Sequence, residues 1–213
     1  MCKNGLRAMF GRQFGRPHGP LGRVAARIMR QGNAPLNGWL VGLLPVGPED
    51  HILEVGFGPG VALAQLLERV PNGTVTGVEA SASMARQARD RFRDTITQGR
   101  LEIHTGDAAS LPFDEGTSDK VSATHVVYFW PDQVATVREL RRVLRPGGVL
   151  AVGYQEQDRM PPRAAQGLAA AGARLAGPDE VEDMARRAGF GHVRVETRPG
   201  DGGPSGFCML ATK

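Results

Sequence analysis

The chain has 213 residues, among them 29 Gly, 15 Pro and two Cys, with 26 Lys and Arg against 22 Asp and Glu. Its length predicts one domain with room for a sizeable core, and 41% hydrophobic against 23% charged residues excludes a disordered polyelectrolyte. No run approaches the roughly 18 apolar residues of a membrane-spanning helix, and Cys2 and Cys208 form no redox or metal-ligand pair, which suits a reducing cytoplasm.

The net charge of +4 is unevenly placed: residues 1–48 carry seven bases and no acid, and the rest is net −3. Residues 1–48 therefore read as a basic N-terminal arm and helical cap, and 49–213 as the main domain. Within the arm, residues 1–20 lack a period. Leu21 to Met29 has apolar residues at helical spacing, and Leu36 to Leu44, after the Asn33-Ala-Pro35 restart, reads as a second short helix carrying Trp39. Pro45 to Pro48 marks the boundary. His51 to Val55 is a short apolar strand that runs into Gly56-Phe-Gly58-Pro-Gly60 and a helix from Val61 to Val70. Gly73 to Glu79 reads as a second strand, Ser81 to about Thr97 as a long helix, Leu101 to Thr105 as a third strand and Lys120 to Thr124 as a fourth. A helix from Asp132 to Leu144 stops at Arg145-Pro-Gly-Gly148, and Val149 to Val152 is a fifth strand. Residues 154–177 suit a loop or soft helix over a site. Then come a helix from Gly177 to Ala188 and two closing strands, Val193 to Thr197 and Phe207 to Ala211. The alternation predicts a doubly wound parallel sheet, and the short link between the last two strands makes that pair antiparallel.

Gly56, Gly58 and Gly60 lie between a buried strand and a helix N-terminus, where bare backbone and helix amides can face a ligand. The G-x-G-x-x-G dinucleotide spacing fits poorly, because the third position falls on Val61 or Leu63, and no Gly-Lys-Ser/Thr follows to make a phosphate loop. Glu54 sits two residues before the loop, where it can meet a cationic amine. Glu79 ends the second strand, where an acid can clamp ribose hydroxyls, and Asp107 follows the third, where it can accept from an exocyclic amine. Three acids at three adjacent strand ends describe a site for a nucleoside that carries positive charge and no phosphate.

Glu54-Val-Gly-Phe-Gly-Pro-Gly60 resembles the E/D-x-G-x-G-x-G motif of the class I S-adenosylmethionine-dependent methyltransferases. Gly77-Val-Glu79-Ala-Ser81-Ala-Ser-Met84, Gly106-Asp107-Ala108-x-x-Leu111-Pro112-Phe113, Asp119 to Trp130 and Leu140 to Gly148 resemble the family's next four motifs, in order, over about residues 48–153. The resemblance implies a Rossmann-like seven-stranded sheet of order 3-2-1-4-5-7-6 with an antiparallel last strand. It also implies S-adenosyl-L-methionine as cofactor, held by Glu54, Gly56, Phe57, Gly58, Gly60, Glu79, Ala80, Met84, Asp107 and Ala108. Phe57 and Pro59 stand where smaller residues are common, and His125 stands where many relatives have Asn or Asp.

His125, at the exit of strand four, is the catalytic candidate, either as a base or as a polar contact in the site. Tyr128, Phe129 and Trp130 suit a substrate pocket or an anchor for the next helix, and Met84 suits either core or adenine contact. His51, His104 and His192 read as structural or surface residues, and no grouping has metal-ligand spacing. Methyl transfer to a small molecule by in-line displacement is the leading expectation, with the cap and 154–177 as the lid. The basic arm leaves open peripheral membrane contact, as in a phospholipid methyltransferase. Nucleic acid is a weaker partner, since no Asn/Asp-Pro-Pro-Tyr/Phe segment follows strand four. A catalytically silent cofactor-binding module, and a monomer or a homodimer, complete the readings.

Overall fold

The computed structural model describes residues 34–156, 160, 165–166, 169, 177–200 and 205–213. The expected helix over 21–29, the basic arm and most of the expected lid segment 154–177 lie outside the described residues. The described elements run in the order α1 (34–43), β1 (His51–Val55), α2 (Val61–Arg69), β2 (Thr74–Glu79), α3 (Ala82–Arg91), α4 (Arg93–Thr97), β3 (Leu101–Thr105) and β4 (Ser118–Thr124). After a single turn of 3-10 helix (Val127–Phe129) come α5 (Gln133–Val143), β5 (Leu144–Tyr154), α6 (Pro178–Arg187), β6 (His192–Arg198) and β7 (Gly206–Thr212).

The seven strands form one sheet of order β3-β2-β1-β4-β5-β7-β6. β3, β2, β1, β4 and β5 pair in parallel, while β7 runs antiparallel to both β5 and β6. The central strands are apolar along nearly their whole length because helices cover both faces of the sheet. On one face Leu40 of α1 and Leu44 just after it, Leu63 and Leu66 of α2, and Ala85 and Ala88 of α3 pack on Ile52, Ala151 and Leu210. On the other, Val137 and Leu140 of α5 and Val181 and Met184 of α6 pack on Leu53, Val121 and Leu150.

Most boundaries fall within two residues of the sequence reading, and two elements depart further. The helix expected over Ser81 to Thr97 is broken at Phe92, whose ring lies against Gly60; a Cβ on Gly60 would come within 2.9 Å of Phe92 Cε2. Arg145 to Gly148 does stop α5, but it continues as an irregularity inside β5, where the pairing with β4 jumps from Ser118↔Leu144 to Lys120↔Val149. Lys213 anchors that irregularity, accepting from Gly147 N at 2.9 Å and donating to Gly148 O at 3.0 Å.

Helix α1 is part of the sheet's packing. Leu40 reaches the backbone of Gly153 on β5 and Leu36 that of Gly206 on β7, closely enough that a Cβ on either glycine would lie 2.7 Å from the leucine. That contact sets α1 over the β5 and β7 side of the sheet. Leu40→Ala is expected to lower the unfolding free energy by about 2–5 kcal/mol in urea titration. A loss under about 1 kcal/mol would mean that α1 does not belong to the core.

Candidate functional site

Parallel pairing brings the C-terminal ends of β1 to β4 to one edge, and the strand order reverses between β1 and β4. Open α/β sheets bind ligands at such a reversal. A cleft with about 1080 Å³ of empty space, its mouth included, lies there. The loop after β1 forms its floor. Gly56, Gly58 and Gly60 all take positive φ, at 69°, 50° and 72°, a region that only glycine occupies freely. Gly56 is also hemmed in by Val126: an added Cβ would lie 2.3 Å from its Cγ1. Gly58 is the opposite case, with nothing within 4 Å of that position, so its backbone is an open ledge.

The three acids border the same cleft from the ends of three strands, and Glu79 holds the ledge itself. Glu79 is buried, and its carboxylate accepts from Gly58 N at 2.9 Å and from Ser81 N at 2.8 Å. It thus ties the glycine loop to the start of α3, which Ser81 caps by accepting from Met84 N. Asp107 is exposed at the rim and accepts from Ala109 N at 3.0 Å. Its turn is clamped from α5: Leu111 N donates to Glu139 Oε1 at 2.9 Å, and Arg142 bonds to both Glu139 and Leu111 O. The Arg142 hydrogen bond holds the Glu139 carboxyl below its ordinary value.

Glu54 is 1% exposed and takes a hydrogen bond from the Ser122 hydroxyl of β4. Burial pushes its carboxyl up to about 8, and the bond from Ser122 opposes that shift. His125 stands beyond it, half-buried in the wall, with φ of 60° and its backbone N bonded to Gly153 O at 2.8 Å. Among the described residues it is the one non-glycine with positive φ, the kind of strain that folded chains retain at ligand sites. Burial lowers its imidazole to about 4, so the ring is neutral near pH 7.

Of the expected cofactor residues, Glu54, Gly56, Phe57, Gly58, Glu79, Ala80, Asp107 and Ala108 all border the cleft, as does His125. Phe57 is mostly turned into the core, its ring under Gly77, where a Cβ would lie 2.8 Å from it. Gly60 caps α2, and Met84 is buried beside Gly58 and Pro59 in a neighbouring cavity. The aromatic run divides. Tyr128 is buried, and its hydroxyl both donates to Gln155 O at 3.2 Å and accepts from Gln155 N at 2.5 Å, while Phe129 and Trp130 line the cleft. His51 bonds to Thr74 and Thr76, and His104 to Glu102, away from the cleft. Sequence reasoning missed Asn37 and Thr124, which also line it. A readable signal existed for Asn37, a polar residue on the helical face shared with Leu40 and Val41.

Residues 53–152 match the family model described as a methyltransferase domain. The uncharacterized methyltransferase YdaC of Bacillus subtilis is 32% identical over 138 residues, which are 63% of this chain and 72% of YdaC. The chain belongs to the class I S-adenosylmethionine-dependent methyltransferases. The 27-O-demethylrifamycin SV methyltransferase of Amycolatopsis mediterranei is 32% identical over 114 residues, 54% of this methyltransferase and only 42% of that relative's length. Among solved structures, the trans-methyltransferase CalH in complex with SAH superposes with a TM-score of 0.68 at 21% identity, over 88% of this chain and 58% of CalH, a likeness of fold.

The family's cofactor is S-adenosylmethionine, and the residues present fit it. The donor set is three acids around an open glycine ledge, and among the described residues no Lys or Arg borders the cleft. That is the reverse of a phosphate site.

The buried carboxyl has a measurable consequence. Glu54 binds its proton more tightly folded than unfolded, so its contribution to stability falls as pH rises from about 4.5 to about 8. His125 and His51, whose folded values are lowered from 6.5, act in the opposite sense and only below that pH. Between about pH 6.5 and 8 the urea midpoint of the ligand-free protein should therefore fall, and Glu54→Gln should remove the slope. An unchanged slope in the variant would show that Glu54 ionises normally.

Proposed function

We propose that this methyltransferase transfers the methyl group of S-adenosylmethionine to a small acceptor that carries no negative charge. The observation that carries the reading is the acid set: Glu54, Glu79 and Asp107 border one cleft, with no Lys or Arg beside them among the described residues. Glu79 would hold the ribose, Asp107 and Ala108 the base, and Glu54 the cationic amino end, with Gly58 giving bare backbone between them. When bound, the cofactor would supply a sulfonium-activated methyl group, whose carbon an acceptor lone pair can attack as the C–S bond breaks and S-adenosylhomocysteine leaves.

The chain's own part is to position and to exclude water. Holding two reactants in line can contribute roughly 7–11 kcal/mol to a barrier. Val126, Phe129 and Trp130 give the cleft an apolar wall suited to an uncharged skeleton. His125 is neutral near pH 7 and can accept a hydrogen bond from an acceptor, but with its basicity lowered to about 4 it is a weak base. Catalysis by placement is therefore the stronger reading. The rifamycin relative, by its name a methyltransferase of a small molecule, agrees with the acceptor class.

Glu79→Ala should weaken S-adenosylhomocysteine binding at least about tenfold in titration calorimetry, as loss of a charged hydrogen-bond partner does. Unchanged affinity would remove Glu79 from the ribose site, and no binding by the wild type would overturn the proposed function.

A further inference from the structure

Among the described residues, two polar atoms on the cleft wall have no hydrogen-bond partner. Asn37 Oδ1 on α1 and Thr124 Oγ1 at the end of β4 are both buried and make no hydrogen bond, and the two residues are only 8% and 7% exposed. An unsatisfied buried polar group costs about 1–3 kcal/mol, so most such groups are paired. Two beside one cleft are best explained by a ligand that pairs them.

Their place in the fold says which ligand. Glu79, the glycine loop and Asp107 stand at the ends of β2, β1 and β3, on one side of the strand reversal. Thr124 ends β4 on the other side, and its methyl packs on Gly153 of β5, beside Leu40 of α1. Asn37 lies one helical turn before Leu40, and His125 follows Thr124 directly. By this strand order Asn37 and Thr124 lie on the β4 side of the cleft, across the reversal from Glu79 and Asp107, and they share the cleft lining with Val126 and Phe129.

We infer that Asn37 and Thr124 form the subsite for a neutral hydroxyl of the acceptor, borne on an apolar skeleton; this rests on the methyltransferase reading above. The two atoms are complementary to that group. Asn37 Oδ1 can only accept, whereas the Thr124 hydroxyl can donate, and an alcohol or phenol both donates and accepts. A carboxylate could not satisfy Asn37 Oδ1, which only accepts, and among the described residues no Lys or Arg borders the cleft to neutralise it. An ammonium could not accept the Thr124 proton.

The test uses phenol, toluene and benzoate as ring-matched probes, titrated by NMR into the 213-residue chain with and without saturating S-adenosylhomocysteine. Phenol should bind about tenfold more tightly than toluene or benzoate. The near-isosteric Asn37→Leu and Thr124→Val should each erase most of that gap, leave S-adenosylhomocysteine affinity within about twofold, and raise the melting temperature, since each removes an unpaired buried polar atom. Equal binding of benzoate, no gap between phenol and toluene, or a gap that survives both substitutions would overturn the inference. So would an Asn37→Leu protein that loses affinity for S-adenosylhomocysteine but not for methylthioadenosine, because Asn37 would then serve the cofactor's amino-acid end. Failure of the wild type to bind S-adenosylhomocysteine is a separate result, which strikes the proposed function itself.

Discussion

The site rests on one close approach, that of the loop after β1 to the loop after β4. Gly56 lies so near Val126 that no side chain fits between them. The positive φ of Gly56 lets the chain turn away from β1 at that point. This contact joins the two strands that flank the reversal of strand order. It also puts the glycine ledge beside the strained backbone of His125, so the acid-lined side of the cleft and the wall beyond it share one floor.

Around that floor the chain retains features that oppose its own stability. Glu54 is buried with its carboxyl pushed up to about 8, and Asn37 Oδ1 and Thr124 Oγ1 are buried without partners. Each is unfavourable in the empty fold, and on the proposed reading each would be offset by a ligand group, an ammonium beside Glu54 and a hydroxyl between Asn37 and Thr124. The surrounding layers offset these costs through ordinary burial. Leu53, Val121 and Leu150 on one face and Ile52, Leu63 and Leu66 on the other are almost wholly enclosed. The Glu139–Arg142 pair extends the same support to the rim, holding the Asp107 turn from α5.

Much of this was legible in order along the chain. The β-strands announced themselves as short apolar runs, and the strand-end acids as charges next to glycines. The break at Phe92 was not legible, because a helical pattern from Ser81 onward gives no sign that a ring must reach Gly60, some 32 positions earlier. The aromatic run after His125 was ambiguous for the same reason. Tyr128 and Phe129 are neighbours in sequence, yet one bonds to Gln155 and the other faces the cleft.

The excess of glycine and the divided charge can now be separated by cause. Sequence by itself determined the alternating α/β architecture, the family and the acid set of the cleft, because periodicity, turn residues and motif spacing are local properties of the chain. Only the tertiary structure decided that Phe57 turns into the core under Gly77, that Glu54 is buried enough to hold its proton, and that Asn37 on α1 and Thr124 on β4 border one cleft. Those facts depend on burial and on contacts between residues far apart in sequence, and neither exists until the sheet has formed and α1 has packed on it.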